Sequence, residues 1–246
     1  MIDGIKKVFA GNDALARQIS LFSICGIAGL VNGYFALYSE NMSTMALAAK
    51  ISLTFLLILF ALFFTGFEVL FMKERELPEI DMRSFKVALK KIPFVVFLIG
   101  VPFLLVSLFT KYASIAFIFE LFLSIPLTML LAGFSYNYDN SGAKLLFENF
   151  NIKDYAVLLF KLLLVIGVCY ALTFILVFLI FLIAGIVIVI MHKADANAVV
   201  MLISSQQVAI LKLANYLTGI LLIYLLSIGT LVWNYEVIKT YEKKLP

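Results

Sequence analysis

Ionisable side chains are scarce in this chain: only 14% of its 246 residues are Asp, Glu, Lys or Arg, against about a quarter in soluble globular domains. With 64% of residues hydrophobic, too little polar surface remains to cover a water-facing globule, which excludes a soluble domain. Histidine occurs once, at His192. Without a second imidazole, a thiolate or a paired carboxylate nearby, it builds neither a metal centre nor a catalytic triad. Cysteine occurs twice, and Cys25 and Cys169 both fall in apolar runs, where they read as small packing residues and not as a disulfide or metal pair. No phosphate-cradling glycine loop, nucleophile elbow or zinc-protease helix occurs either. The chain therefore reads as non-enzymatic and without a cofactor.

Long apolar runs are abundant instead. A hydrocarbon core about 30 Å thick needs around 20 apolar residues of helix, and six stretches qualify: 18–39, 46–72, 92–110, 116–138, 162–191 and 213–235. Strands of a membrane barrel would alternate polar with apolar residues. Runs such as ISLTFLLILFALFF and TFILVFLIFLIAGIVIVI do not alternate, so helices are expected. No small-residue cleavage pattern follows the first run, which reads as a retained span and not as a signal peptide.

Positive charge predicts the threading, because Lys and Arg beside spans are retained on the cytoplasmic side. Fifteen of the 19 Lys and Arg lie before the first span, between the second and third, between the fourth and fifth, or after the sixth; the exceptions are Lys50, Lys111, Lys193 and Lys212. Both termini are then cytoplasmic, in a multi-pass protein of a bacterial or archaeal inner membrane. The net charge of +4 follows from this rule and calls for no nucleic-acid partner.

The most charged stretch, 66–91, reads GFEVLFMKERELPEIDMRSFKVALKK. At about 100° per residue, Met82, Phe85, Ala88, Leu89 and Ile92 share one face, with Arg83, Lys86 and Lys90 on another. With Pro78 as its first helical residue, this segment is expected to be an amphipathic helix in the cytoplasmic interface, its apolar side down. Arg83, Lys86 and Lys90 are its candidate docking face for anionic lipid or a partner protein. Comparable segments, IKKVFAGNDALARQ and AKLLFENFNIKDY, precede the first and fifth spans. The even spans end in GFEVLF, GFSYNY and GTLVWNYE, whose aromatics read as an interfacial belt. The pattern predicts an all-α membrane protein of three hairpin-like units, each preceded by a surface helix.

GF, a short basic gap, ELPEID and a basic amphipathic helix together resemble the signature of the six-span membrane proteins catalogued as domain of unknown function 4013. The resemblance covers 66–105 in motif and most of the chain in hydropathy. It implies an integral membrane protein and brings no catalytic residues with it.

Charges deep in a bilayer mark transport pathways. Glu68, Lys161, Lys212 and Glu236 fall at run ends, near headgroups. Glu120 lies roughly 6 Å inside the outer edge of the core and is matched in depth by Lys50, a candidate polar pair. Gly26, Gly29 and Gly33 line one side of the first span, where they let another helix approach, and Asn32, Asn215 and Asn234 are candidates for hydrogen bonds between helices. Residues 192–212 are a candidate outer cap. The expected role is a scaffold, accessory subunit or partner-binding component among membrane lipids, with a membrane-protein partner or a second copy of the chain. A carrier, channel or lipid-handling protein for a small or apolar solute is the alternative.

Overall fold

The computed structural model describes residues 1–11, 13–38, 44–74, 76–90, 151–191, 200–201 and 204–242. Among these the regular structure is helical: α1 (Ile2–Val8), α2 (Ala14–Tyr38), α3 (Thr44–Glu74), α4 (Met82–Lys90), α5 (Ile152–Met191) and α6 (Gln207–Glu242). The runs expected at 92–110 and 116–138 lie outside the described residues, as do Glu120 and His192. With Glu120 goes the Lys50–Glu120 pair.

The 40 residues of α5 extend about 60 Å at 1.5 Å per residue. Both α5 and α6 are long and apolar enough to cross a membrane, and 0% of the most apolar stretch of α5 is buried inside the protein. Phe174, Phe178 and Ile190 stand outward from it. A stretch apolar on every side must be covered by protein or by lipid, and over this part of α5 protein does not cover it.

Helix starts differ from expectation where a polar side chain offers a better cap. Asn151 Oδ1 accepts the Lys153 amide at 3.0 Å, so α5 begins at Ile152. The end of the surface segment expected before the fifth span is thus the first turn of α5 itself. In the same way α4 starts at Met82 and not at Pro78: Asp81 Oδ1 accepts the Arg83 amide at 2.9 Å, an N-cap that Pro78 cannot provide. Against the raising effect of its slight burial, hydrogen bonds from the Arg83 side chain and amide hold the Asp81 carboxyl below its ordinary value. Residues 207–212, read as part of an outer cap, are the opening turns of α6.

The chain packs as two compact units: Met1–Leu21, Leu56–Val165 and Ile228–Pro246 form the first, Phe22–Phe55 and Ile166–Ser227 the second. In the first, Val8, Leu21, Phe67, Phe71, Met72, Leu77, Leu158, Leu231 and Ile238 are almost wholly buried; each such side chain removed from water contributes about 1.5–3 kcal/mol. Positions at run ends predict an interfacial belt for Phe67, Phe71 and Trp233. They lie in this core instead, because the ends of α3 and α6 are covered by packed protein. Trp233 Nε1 donates to the Leu158 carbonyl at 3.0 Å, satisfying the indole where no headgroup reaches it.

Two glycines set the closest approaches. A Cβ on Gly66 would lie 1.8 Å from the Ser84 carbonyl oxygen, so α4 rests backbone to backbone on α3. In the second unit a Cβ on Gly29 would meet the Ile220 Cα at 2.6 Å, and Gly219 faces Gly29 in return.

Candidate functional site

The first unit is held together by a polar cluster at the ends of its helices. On α6, Glu236 is buried. Its Oε2 accepts Lys161 Nζ of α5 at 2.8 Å, and its Oε1 accepts the Met1 ammonium. Two residues earlier, Asn234 Nδ2 donates to Glu68 Oε1 of α3 at 3.2 Å, both side chains buried. One turn later, Lys239 Nζ donates to Asp3 Oδ2 of α1. The hydrogen bond and charge of Lys239 hold the exposed Asp3 carboxyl below its ordinary value. Asn234, Glu236 and Lys239 thus tie α6 to α3, α5 and α1 within about one and a half turns.

A second set of bonds fixes the connection between α3 and α4. Leu77 is fully buried, and its carbonyl accepts Arg17 Nη1 of α2 at 2.6 Å. Arg17 Nη2 lies 3.9 Å from Glu79. Gln18 Nε2, one residue on, donates to the Val8 carbonyl at the end of α1 at 2.9 Å. The ELPE element is therefore a plug: Leu77 and Pro78 tucked in, with Glu76 and Glu79 left in the open.

Burial overturns the reading of Glu68 and Glu236 as carboxylates that reach headgroups. Sequence position put them at run ends, but the neighbouring helices close over those ends, and a desolvated carboxyl must then be satisfied from within. Asn234 does bond between helices, as its type suggested. The bond of Glu236 to Lys161 was not legible, because 75 residues separate the two and only packing brings them together.

The candidate docking face divides. Arg83 Nε bonds Asp81 Oδ2, and its Nη1 lies 3.5 Å from Glu74 Oε1, so its charge is engaged locally. Lys86 and Lys90 are exposed on α4. The face of α4 turned to the protein is Ser84 and Ala88, both buried, and not the Met82, Phe85 and Leu89 strip. The reason is steric: only small side chains permit the contact with Gly66.

Among the candidate packing glycines, Gly29 meets α6, while Gly26 has its nearest neighbour atom, on Ile220, at 3.8 Å. Gly33 lies in α2, one turn beyond Gly29. Cys25 and Cys169 are free and buried; Cys25 Sγ donates to Ser227 Oγ at 3.6 Å and Cys169 Sγ to the Leu225 carbonyl at 3.2 Å. Among the described residues no group of three His, Cys, Asp or Glu side chains gathers to hold a metal ion. Compared with protein-family models, curated proteins and solved structures, the chain finds no match.

Proposed function

We propose that this chain is a non-enzymatic polytopic membrane protein that serves as a scaffold, accessory subunit or partner-binding component of a membrane complex. In this reading it has six spans in a bacterial or archaeal inner membrane, both termini cytoplasmic, and belongs with the six-span proteins of domain of unknown function 4013 that its 66–105 segment resembles. The outward-facing apolar sides of α5 support a hydrocarbon surrounding.

One observation carries the role. Glu68 and Glu236, the buried carboxylates among the described residues, are each engaged by side chains of other helices. A proton or ion pathway needs ionisable groups free to change partners along a route. Groups spent on cross-linking helices make a rigid body, which is what a scaffold requires.

Purification of the intact chain in mild detergent, followed by identification of co-migrating proteins, tests the proposal. A stoichiometric membrane-protein partner or a defined homo-oligomer is expected. A monomer without partner that moves a small or apolar solute across reconstituted vesicles would overturn it in favour of a carrier.

A further inference from the structure

Helix α4 presents three faces. Ser84 and Ala88 are buried against the protein. Met82 and Leu89 form an outward apolar edge, 66% and 41% exposed, with the half-buried Phe85 beside them. Lys86 and Lys90, one turn apart and exposed, border that edge. A surface helix in water normally turns its large apolar residues inward; α4 turns small residues inward and large ones outward.

The arrangement is imposed and not a matter of slack packing. The backbone of Ser84 lies against Gly66, and Asp81 caps the first turn, so α4 cannot roll to bury Met82 and Leu89 without breaking both. The acidic groups lie at the other end: Glu74 and Asp81 are matched to Arg83, and Glu79 lies near Arg17. This leaves a net positive charge beside the apolar edge at the C-terminal end of α4. Apolar side chains flanked by ammonium groups complement the boundary between acyl chains and anionic headgroups.

We propose that α4 is a fixed interfacial anchor, with Met82 and Leu89 seated among acyl chains and Lys86 and Lys90 binding the phosphates of anionic phospholipids. The occupant is a lipid headgroup and not an acidic protein, because the lysines frame an apolar edge continuous along the helix. The proposal rests on the chain residing in a membrane.

The test uses the full chain in nanodiscs of phosphatidylcholine with phosphatidylglycerol, bearing an environment-sensitive fluorophore on Leu89→Cys, on Glu76→Cys or on Phe178→Cys. The buried native thiols are replaced by serine. Lipid-borne spin labels on either headgroup class and aqueous iodide serve as quenchers. The Leu89 probe is expected to be shielded from iodide relative to the Glu76 probe. Spin-labelled phosphatidylglycerol should quench it about two- to fivefold better than spin-labelled phosphatidylcholine, a preference that K86Q/K90Q abolishes. Iodide quenching equal to that at Glu76 would overturn the anchor, as would shielding from iodide without lipid quenching, which assigns the face to protein. A preference that survives K86Q/K90Q would overturn the role of the lysines. Phe178 on α5 separates the two readings: lipid quenching there with none at Leu89 sinks the anchor alone, and none at either position sinks the membrane residence as well.

Discussion

Asn234 of α6 holds Glu68 of α3 through a buried hydrogen bond of 3.2 Å between Nδ2 and Oε1. A buried carboxyl stripped of its donor keeps its desolvation cost and loses its compensation. Asn234→Leu is therefore expected to destabilise the first unit by about 1–3 kcal/mol, seen as a lower thermal midpoint in detergent. Adding Glu68→Leu removes the orphaned group and should restore part of the loss, giving a coupling energy of about 1 kcal/mol or more in the double-mutant cycle. Strict additivity of the two changes would refute the bond.

Gly66→Ala should cost about 2 kcal/mol or more, because the new methyl would fall 1.8 Å from the Ser84 carbonyl oxygen and force α4 off α3. Limited proteolysis between residues 76 and 90 reads the loosening directly. An alanine variant as resistant as the parent would contradict the contact.

Gly26 and Gly29 lie three residues apart on α2, yet they should respond differently. Gly29→Ala drives a methyl into the α6 backbone at Ile220 and is expected to destabilise the second unit by about 1–3 kcal/mol. The nearest atom to a Cβ at Gly26 is 3.8 Å away, an ordinary contact. Gly26→Ala should thus be neutral, or slightly stabilising from helix propensity. Equal thermal midpoints for the two variants would count against the α2–α6 approach.

Asp3 supplies a pH dependence. Its folded carboxyl is held below the ordinary value of 3.8 by Lys239, so its contribution is present above that value and lost as pH falls through the lower folded one. The group is exposed, and salt screens it. Asp3→Asn is expected to leave the midpoint at pH 7 almost unchanged and to flatten a small part of its fall in acid, as pH drops below the ordinary carboxyl value. A variant whose acid limb overlays that of the parent in low salt would exclude the pair.

Helix α4 was legible as a helix, and its limits follow from local chemistry once the competing caps are weighed: Asp81 beats Pro78 because an acceptor for free amides outweighs a preset backbone angle. Its inward face was not legible. Periodicity ranks faces by hydrophobicity, whereas the packed face was selected by size: the Ser84 backbone lies against Gly66, and the buried residues of α4 are the small Ser84 and Ala88. The same limit applies to the aromatics at the ends of α3 and α6. An apolar ring at the end of a run suits a lipid interface and a protein core equally well, and only the chains folded around Phe67, Phe71 and Trp233 distinguish the two.

What the sequence determined alone is helicity and its periphery: a chain this poor in charge, with runs this long, closes its backbone hydrogen bonds within helices and leaves α5 apolar on every side, properties that are local along the chain. What the tertiary structure decided is which polar groups are partners. Glu68 with Asn234 and Glu236 with Lys161 join residues 166 and 75 positions apart, and the burial that makes each pairing obligatory exists only after the helices have met.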